Sequence, residues 1–121
     1  IALGPAIGPC CFEVNREVHD TFQKDWGHLW TAGPSPLLNA QPQSMNAART
    51  TAKPSQNNLW INLDLIARLH LTSEGVPDFQ IEDVGFCTYC GPGDLASFRR
   101  ATHEGFKAGR QWSFIQTART H

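Results

Sequence analysis

The sequence predicts a domain of the α+β class. Three observations carry this. Two stretches repeat apolar residues at helical spacing. Short apolar runs bounded by Gly and Pro read as strands before and after them. The composition, 40% hydrophobic and 17% charged, is that of a globular chain. The expected order is strand, helix, loop, helix, strand, strand, which suits packed layers of helix and sheet.

The elements follow along the chain. Ile1, Ala2 and Leu3 form an apolar strand end, and Gly4-Pro5 and Gly8-Pro9 make two turns. "NREVHDTFQ" places Val14, Val18 and Phe22 four apart, which predicts a helix with Asn15 as its N-cap. Residues 31–58 are rich in Pro, Ser, Asn, Gln, Ala and Thr and show no period, so a flexible insertion is expected there. "NLWINLDLIARLHLTSEGV" carries Leu59, Leu63, Ile66, Ala67 and His70 at 3.6-residue spacing, and Gly75 and Pro77 end it. "FQIEDVGF" alternates as a strand with one slip of phase, the sign of a bulge. "CTYCGPGD" is rich in turn residues, "LASFRR" reads as strand or loop, and "RQWSFIQT" reads as a closing strand.

Composition excludes several classes. The formal net charge is −1, and Lys and Arg gather on no one stretch. Neither a nucleic-acid footprint nor an anionic membrane surface is indicated. No apolar run approaches the ~20 residues of a membrane span. At 121 residues the chain fits one domain or part of a larger one. It has no initiator Met, Met45 being its one methionine, and Ile1 stands in a strand already under way. The expectation is a chain that starts within a domain.

Four cysteines stand at Cys10, Cys11, Cys87 and Cys90. Adjacent side chains of an extended chain point apart, so Cys10 and Cys11 are awkward partners for two disulfides. A reduced, cytoplasmic setting is expected. The Cys87 to Cys90 spacing is half a zinc site, but a second C-x-x-C is absent. A thioredoxin-type pair would open a helix, which Gly91-Pro92-Gly93 opposes. The simplest reading is reduced thiols packed as small apolar groups.

Arg99 and Arg100 suit bidentate binding of phosphate or carboxylate. The competing reading has them bracing the fold against carboxylates such as Asp83 or Asp94. His19, His28, His70, His103 and His121 show no i, i+4 metal pair. His19 and His70 fall on helices, His28 and His103 in irregular segments. No nucleophile elbow, P-loop or Rossmann fingerprint occurs, and no complete catalytic set is present.

"LGPAIGPCCFEV", "NLDLIARLHLTSEGV", "CTYC", "SFRR" and "KAGR" occur in that order. Together, from Leu3 to Ile115, they resemble the C-terminal half of the laccase-domain family, also called YfiH-like or multicopper polyphenol oxidase-like proteins. That family usually shows an aromatic-Ser-Tyr-Arg-Arg-Asp run where this chain has Ala96-Ser97-Phe98-Arg99-Arg100-Ala101. The resemblance implies an α+β fold in α/β/β/α layers with mixed sheets, of which residues 1–121 form an incomplete, C-terminal part. It implies a purine nucleoside enzyme, acting by phosphorolysis and adenosine deamination and historically described as a copper-dependent laccase.

It also implies zinc, with copper as the other possibility, on two histidines and one cysteine of an upstream half that carries a His-Ala-Gly-Trp-Arg motif absent here. A metal so held lowers the pKa of its water toward ~7. The expected partners are a purine nucleoside, phosphate and that missing half, with no nucleic acid and no membrane. In this chain no catalytic residue and no metal ligand is expected. Arg99 and Arg100 are expected to bind phosphate or ribose, with Cys87 and Thr88 as pocket wall. The alternative is a non-catalytic module whose cysteines hold a structural metal or form a redox site.

Overall fold

A computed structural model of the chain describes residues 1–31, 33–46, 48–91, 96–107 and 109. They form a helix-and-sheet structure of the α+β class, with two small sheets and three α-helices among the described residues. The closing strand expected near Trp112 lies outside these residues.

Strand β1 (Ala2–Leu3) pairs in parallel with β4 (Glu82–Asp83), placing Ala2 beside Glu82 and Leu3 beside Asp83. The pairing resumes at a parallel bridge between Ala6 and Cys87. The β4 side holds one residue more between these pairs than the β1 side. That is the bulge expected from the slipped phase, and Gly85 supplies it with a left-handed φ of 72°. The strand is much shorter than the pattern predicts. Asp78–Gln80 forms a 3₁₀ turn, and Phe79, Val84 and Phe86 stay exposed. Pro77 blocks continuation of the preceding helix, and its fixed φ leads into that turn.

The second sheet pairs β2 (Leu37–Leu38) antiparallel to β3 (Trp60–Ile61). Phe12–Val14 lies against β3 on its other side: Val14 N donates to Leu59 O at 2.8 Å and Ile61 N to Phe12 O at 3.2 Å. Here the helix expected from Leu59 is corrected. Leu59 is buried ahead of the strand, Trp60 and Ile61 are buried strand residues, and α2 covers Leu63–Ser73. Asn62 breaks the run, because its Oδ1 accepts from Leu65 N as an N-cap. The C-terminus follows expectation: Gly75 is left-handed at φ 95° just past the C-cap, Glu74.

Helix α1 (Arg16–Trp26) starts as expected, with Asn15 Oδ1 accepting from Val18 N at 2.9 Å. Helix α3 (Phe98–Glu104) replaces the strand or loop expected for "LASFRR". Ser97 caps it by accepting from Arg100 N, and Gly105 closes it at φ 77°. A seven-residue helix shows under two turns of period, too little for apolar spacing to reveal. His103, expected in an irregular segment, lies on this helix.

Two cores result. The first is apolar: Val14, Trp30, Leu59, Ile61 and Ile66, with Phe12, Phe22, Leu29, Leu37, Leu63 and Leu69 packed around them. The second gathers Cys10, Cys11, Ala52, Cys87, Tyr89 and Cys90, flanked by Ile7 and Met45. The 31–58 stretch has little regular structure, yet it is tied to both. Pro36 is fully buried and its carbonyl accepts from Asn62 N, while Gln41 Nε2 donates to the carbonyls of Cys10 and Ala52. Ala48 N and Arg49 N both donate to Cys90 O at 2.8 Å. No helix among the described residues is long and apolar enough to cross a membrane.

Candidate functional site

The cysteine core is assembled from two turns. At residues 8–11 the chain turns back, and Cys11 N and Phe12 N both donate to Gly8 O at 3.1 Å. In a turn, unlike an extended strand, two adjacent side chains can face one centre. That resolves the awkwardness of Cys10 beside Cys11. The Ala6–Cys87 bridge then brings the second turn, Cys87–Gly91, alongside, closed by Gly91 N donating to Cys87 O at 2.7 Å. Gly91 is required by crowding against backbone, and Gly8 is favoured by crowding against side chains. A Cβ on Gly8 would meet Met45 Sδ at 2.8 Å and Cys87 Cβ at 3.1 Å, and one on Gly91 would strike the carbonyl of Cys87.

The four sulfur atoms lie within 4.8 Å of one another. Cys10 Sγ is 3.7 Å from both Cys11 Sγ and Cys90 Sγ, and no disulfide joins them. All four are sealed from solvent, at 1% exposure or less. Polar hydrogens point at the sulfurs: Gly8 N–H donates to Cys87 Sγ at 3.2 Å and Ala52 N–H to Cys11 Sγ at 3.4 Å. Ser44 Oγ lies 3.6 Å from Cys90 Sγ. Hydrogen bonds from the Cys10 and Cys11 thiols hold Cys87 far below the usual thiol range, despite burial. Cys11 is raised, by its bonds to Cys10 and Cys87 and by burial. For Cys10 the bond to Cys11 lowers the value, but the bond to Cys87 and burial push it up to about 12.

A second feature surrounds Arg99. A cleft of about 470 Å³ is lined by Glu13, Asn15, Lys53, Trp60, Arg99 and His103, among others. A smaller one of about 310 Å³ is lined by Ala6, Ile7, Phe12, Thr88, Ser97 and Arg99. Arg99 is shared by both. Its guanidinium lies over the Phe12 ring at 5.1 Å, and Nη1 donates to Glu13 O at 2.6 Å. The cleft rim is tied down by Glu13, whose carboxylate accepts from Ser55 N at 2.6 Å and Asn58 N at 2.9 Å. Burial raises the Glu13 pKa, but these backbone donors outweigh it and leave the carboxyl below its usual range. On the other wall the Tyr89 hydroxyl and His103 Nδ1 share a 2.8 Å hydrogen bond.

The four residues expected at the substrate are thus placed differently. Arg99 lines both clefts and Thr88 the smaller one. Arg100 is buried, and its Nη1 donates to the carbonyls of Thr88 and Tyr89. Cys87 belongs to the sulfur cluster. Glu13, Lys53 and Trp60 carry no sequence signal for a site, and the sequence offers His103 only as a histidine able to approach a pocket; the four come from separate segments that only the fold unites.

The chain is also similar to known proteins. The family model described as multi-copper polyphenol oxidoreductase laccase matches residues 1–118. A purine nucleoside phosphorylase of Pseudomonas aeruginosa is 30% identical over 110 residues, covering 91% of this chain and 38% of that protein. The purine nucleoside phosphorylase YlmD of Geobacillus stearothermophilus is 34% identical over 115 residues, covering 95% of this chain and 35% of that protein. No solved structure matches the chain significantly. The chain therefore spans little more than a third of the length of these relatives. With a family match running from Ile1 almost to its end, the chain belongs to the multi-copper polyphenol oxidoreductase laccase family.

Proposed function

We propose that this chain contributes the phosphate-binding side of a purine nucleoside phosphorylase. The observation that carries the reading is the Arg99 cleft, taken with the activity for which the two relatives are named. At about 470 Å³ the cleft is in the range of small-molecule sites. Arg99 and Lys53 bring positive charge, Trp60 a flat apolar face, and Asn15 and Asn57 hydrogen-bonding groups. In phosphorolysis a phosphate oxygen attacks the sugar carbon and the base departs with the bonding electrons. A fixed guanidinium offsets the dianion's charge and aims it, which water in an open cleft does not. The bond from Arg99 to Glu13 O, with stacking on Phe12, restricts the side chain beforehand. Arg100 and Thr88 support this wall from behind, through the carbonyls of the Cys87–Cys90 turn.

The family description implies copper and the resemblance implies zinc on two histidines and a cysteine. The described residues do not fit either centre: the one metal-ligating group they form is all cysteine, and none of His19, His28, His70 or His103 joins it. We assign the histidine-bearing site to the part of the relatives' length that this chain does not span, and derive no step through it. Adenosine deamination would be that site's work.

The test is phosphate-dependent release of free base from inosine and adenosine by the whole protein that carries this chain. Arg99→Lys keeps the charge and removes the fork. It should lower kcat/KM by roughly 30- to 150-fold, or about 2–3 kcal/mol, mainly through the KM for phosphate. Unchanged kcat/KM with only a lower melting temperature would make Arg99 structural and overturn the assignment.

A further inference from the structure

We propose that Cys10, Cys11, Cys87 and Cys90 form a closed, structural four-thiolate zinc site, separate from any metal of the reaction. This rests on the cluster's geometry and not on the proposed activity.

The distances decide between the available readings. A disulfide needs sulfurs about 2.05 Å apart, whereas Cys10 Sγ stands 3.7 Å from Cys11 Sγ and from Cys90 Sγ and all four cysteines are free. Four thiolates on one zinc, each about 2.3 Å from it at tetrahedral angles, stand about 3.8 Å from one another. The observed 3.7 Å pairs match that edge, and the whole set fits within 4.8 Å. A polynuclear iron–sulfur cluster needs a wider cage. Ordinary packing of apolar thiols accounts for burial, but not for the donors aimed at them. Gly8 N–H, Ala52 N–H and the Ser44 hydroxyl lie at hydrogen-bond distance from Cys87, Cys11 and Cys90. Outer hydrogen bonds of this kind orient ligands and spread their negative charge. Soft sulfur donors select zinc over magnesium or calcium.

The site is also closed. With four protein ligands and no exposed sulfur, it leaves no position for water or substrate; of the four, Cys11 borders the 470 Å³ cleft but is itself only 1% exposed. Its role is to join the residues 8–11 turn to the Cys87–Gly91 turn. Arg49 and Arg100 hold the second turn from outside, both donating to Thr88 O.

The experiment is made on the whole protein, purified under reducing conditions without added chelator. Metal content is measured for the wild type, Cys90→Ser and Cys10→Ser, with X-ray absorption at the zinc edge and a count of reactive thiols. We expect each variant to lose about one zinc per chain. The lost component should be a shell of four sulfurs at about 2.3 Å, free of nitrogen. The four thiols should become reactive only after chelation. Should the variants fail to fold, the wild-type sulfur shell and thiol protection still decide. Four reactive thiols in metal-free wild type, a disulfide by mass, or iron in place of zinc would each overturn the proposal. None of these outcomes touches the phosphorolysis assay, so failure of one reading is separable from failure of the other.

Discussion

The apolar core and the cysteine core meet along residues 10–14, which give Cys10 and Cys11 to one and Val14 to the other, and they hold the chain by different physics. The apolar core packs two helix faces over β2 and β3, and its attraction is burial, which has no direction. Its members can be exchanged for others of similar volume at modest cost. The cysteine core has almost no regular structure. Two turns and part of the 31–58 stretch converge on four sulfurs, and each position has one acceptable direction. Such a centre depends on bonds and donors at fixed angles. The comparison teaches that a loop-rich half lacks the ladders of a helical one, and the proposed zinc would supply directional bonds in their place.

The comparison is broken most sharply by removing metal. Structural zinc sites in small peptides are worth on the order of 10 kcal/mol or more in apparent binding. Chelation is therefore expected to cost more stability than any single apolar truncation. It should expose Cys10, Cys11, Cys87 and Cys90 together while α1 and α2 persist, as hydrogen exchange can follow. Loss of both halves in one step would show the two cores to be a single cooperative unit.

Next in size is Ile61→Ala, which empties a fully buried position of the apolar core. A loss of about 2–5 kcal/mol is expected in denaturant titrations. Thiol protection should stay intact. Thiols that react as fast as in the chelated protein would erase the distinction between the cores.

Gly8→Ala probes crowding beside the sulfurs. Its Cβ would press on Met45 and on Cys87, at a cost of about 1–3 kcal/mol. The change should also loosen the metal, since Gly8 N–H donates to Cys87. A variant as stable as the wild type, with metal equally tight, would mean that the turn has room to relax.

The smallest effect is a pH dependence. Burial, and then the neighbouring carboxylate of Asp83, push Asp64 up from 3.8 to about 6. A folded-state value above the unfolded one means that protonated Asp64 favours the fold. Its contribution is complete below about pH 4 and is lost as pH rises through about 6. Asp64→Asn should flatten the stability profile in that window relative to wild type. Identical slopes for the two proteins would remove the carboxyl pair as the cause.

Much of the fold was legible without coordinates, for reasons of local chemistry. Asn15, Gly75 and Pro77 act through a single turn of backbone, so their roles follow from residue type. The slip of phase before Cys87 announced the bulge at Gly85 because strand alternation has a period of two. The "CTYC" spacing is that of half a zinc site for the same local reason, although the simpler sequence reading is packed, reduced thiols. Other features lay beyond local chemistry. Leu59–Ile61 continues the apolar period of α2, and only the neighbouring Phe12–Val14 and β2 make Trp60–Ile61 a strand. Helix α3 was too short to show a period, and its capping Ser97 resembles any loop serine.

What the sequence determined by itself is therefore the class of fold, the helix caps, the family motifs and the supply of four thiols. Tertiary structure decided which residues meet. It turned residues 8–11 so that Cys10 and Cys11 face one centre, and carried Cys87 and Cys90 to them across about 80 positions through the β1–β4 register. It also set Arg99 in a cleft while burying Arg100 next to it, because successive residues on a helix point about 100° apart. Spacing along a chain reports neighbours within a few residues. Contacts between distant segments depend on the closing of loops, which leaves no periodic trace in the sequence.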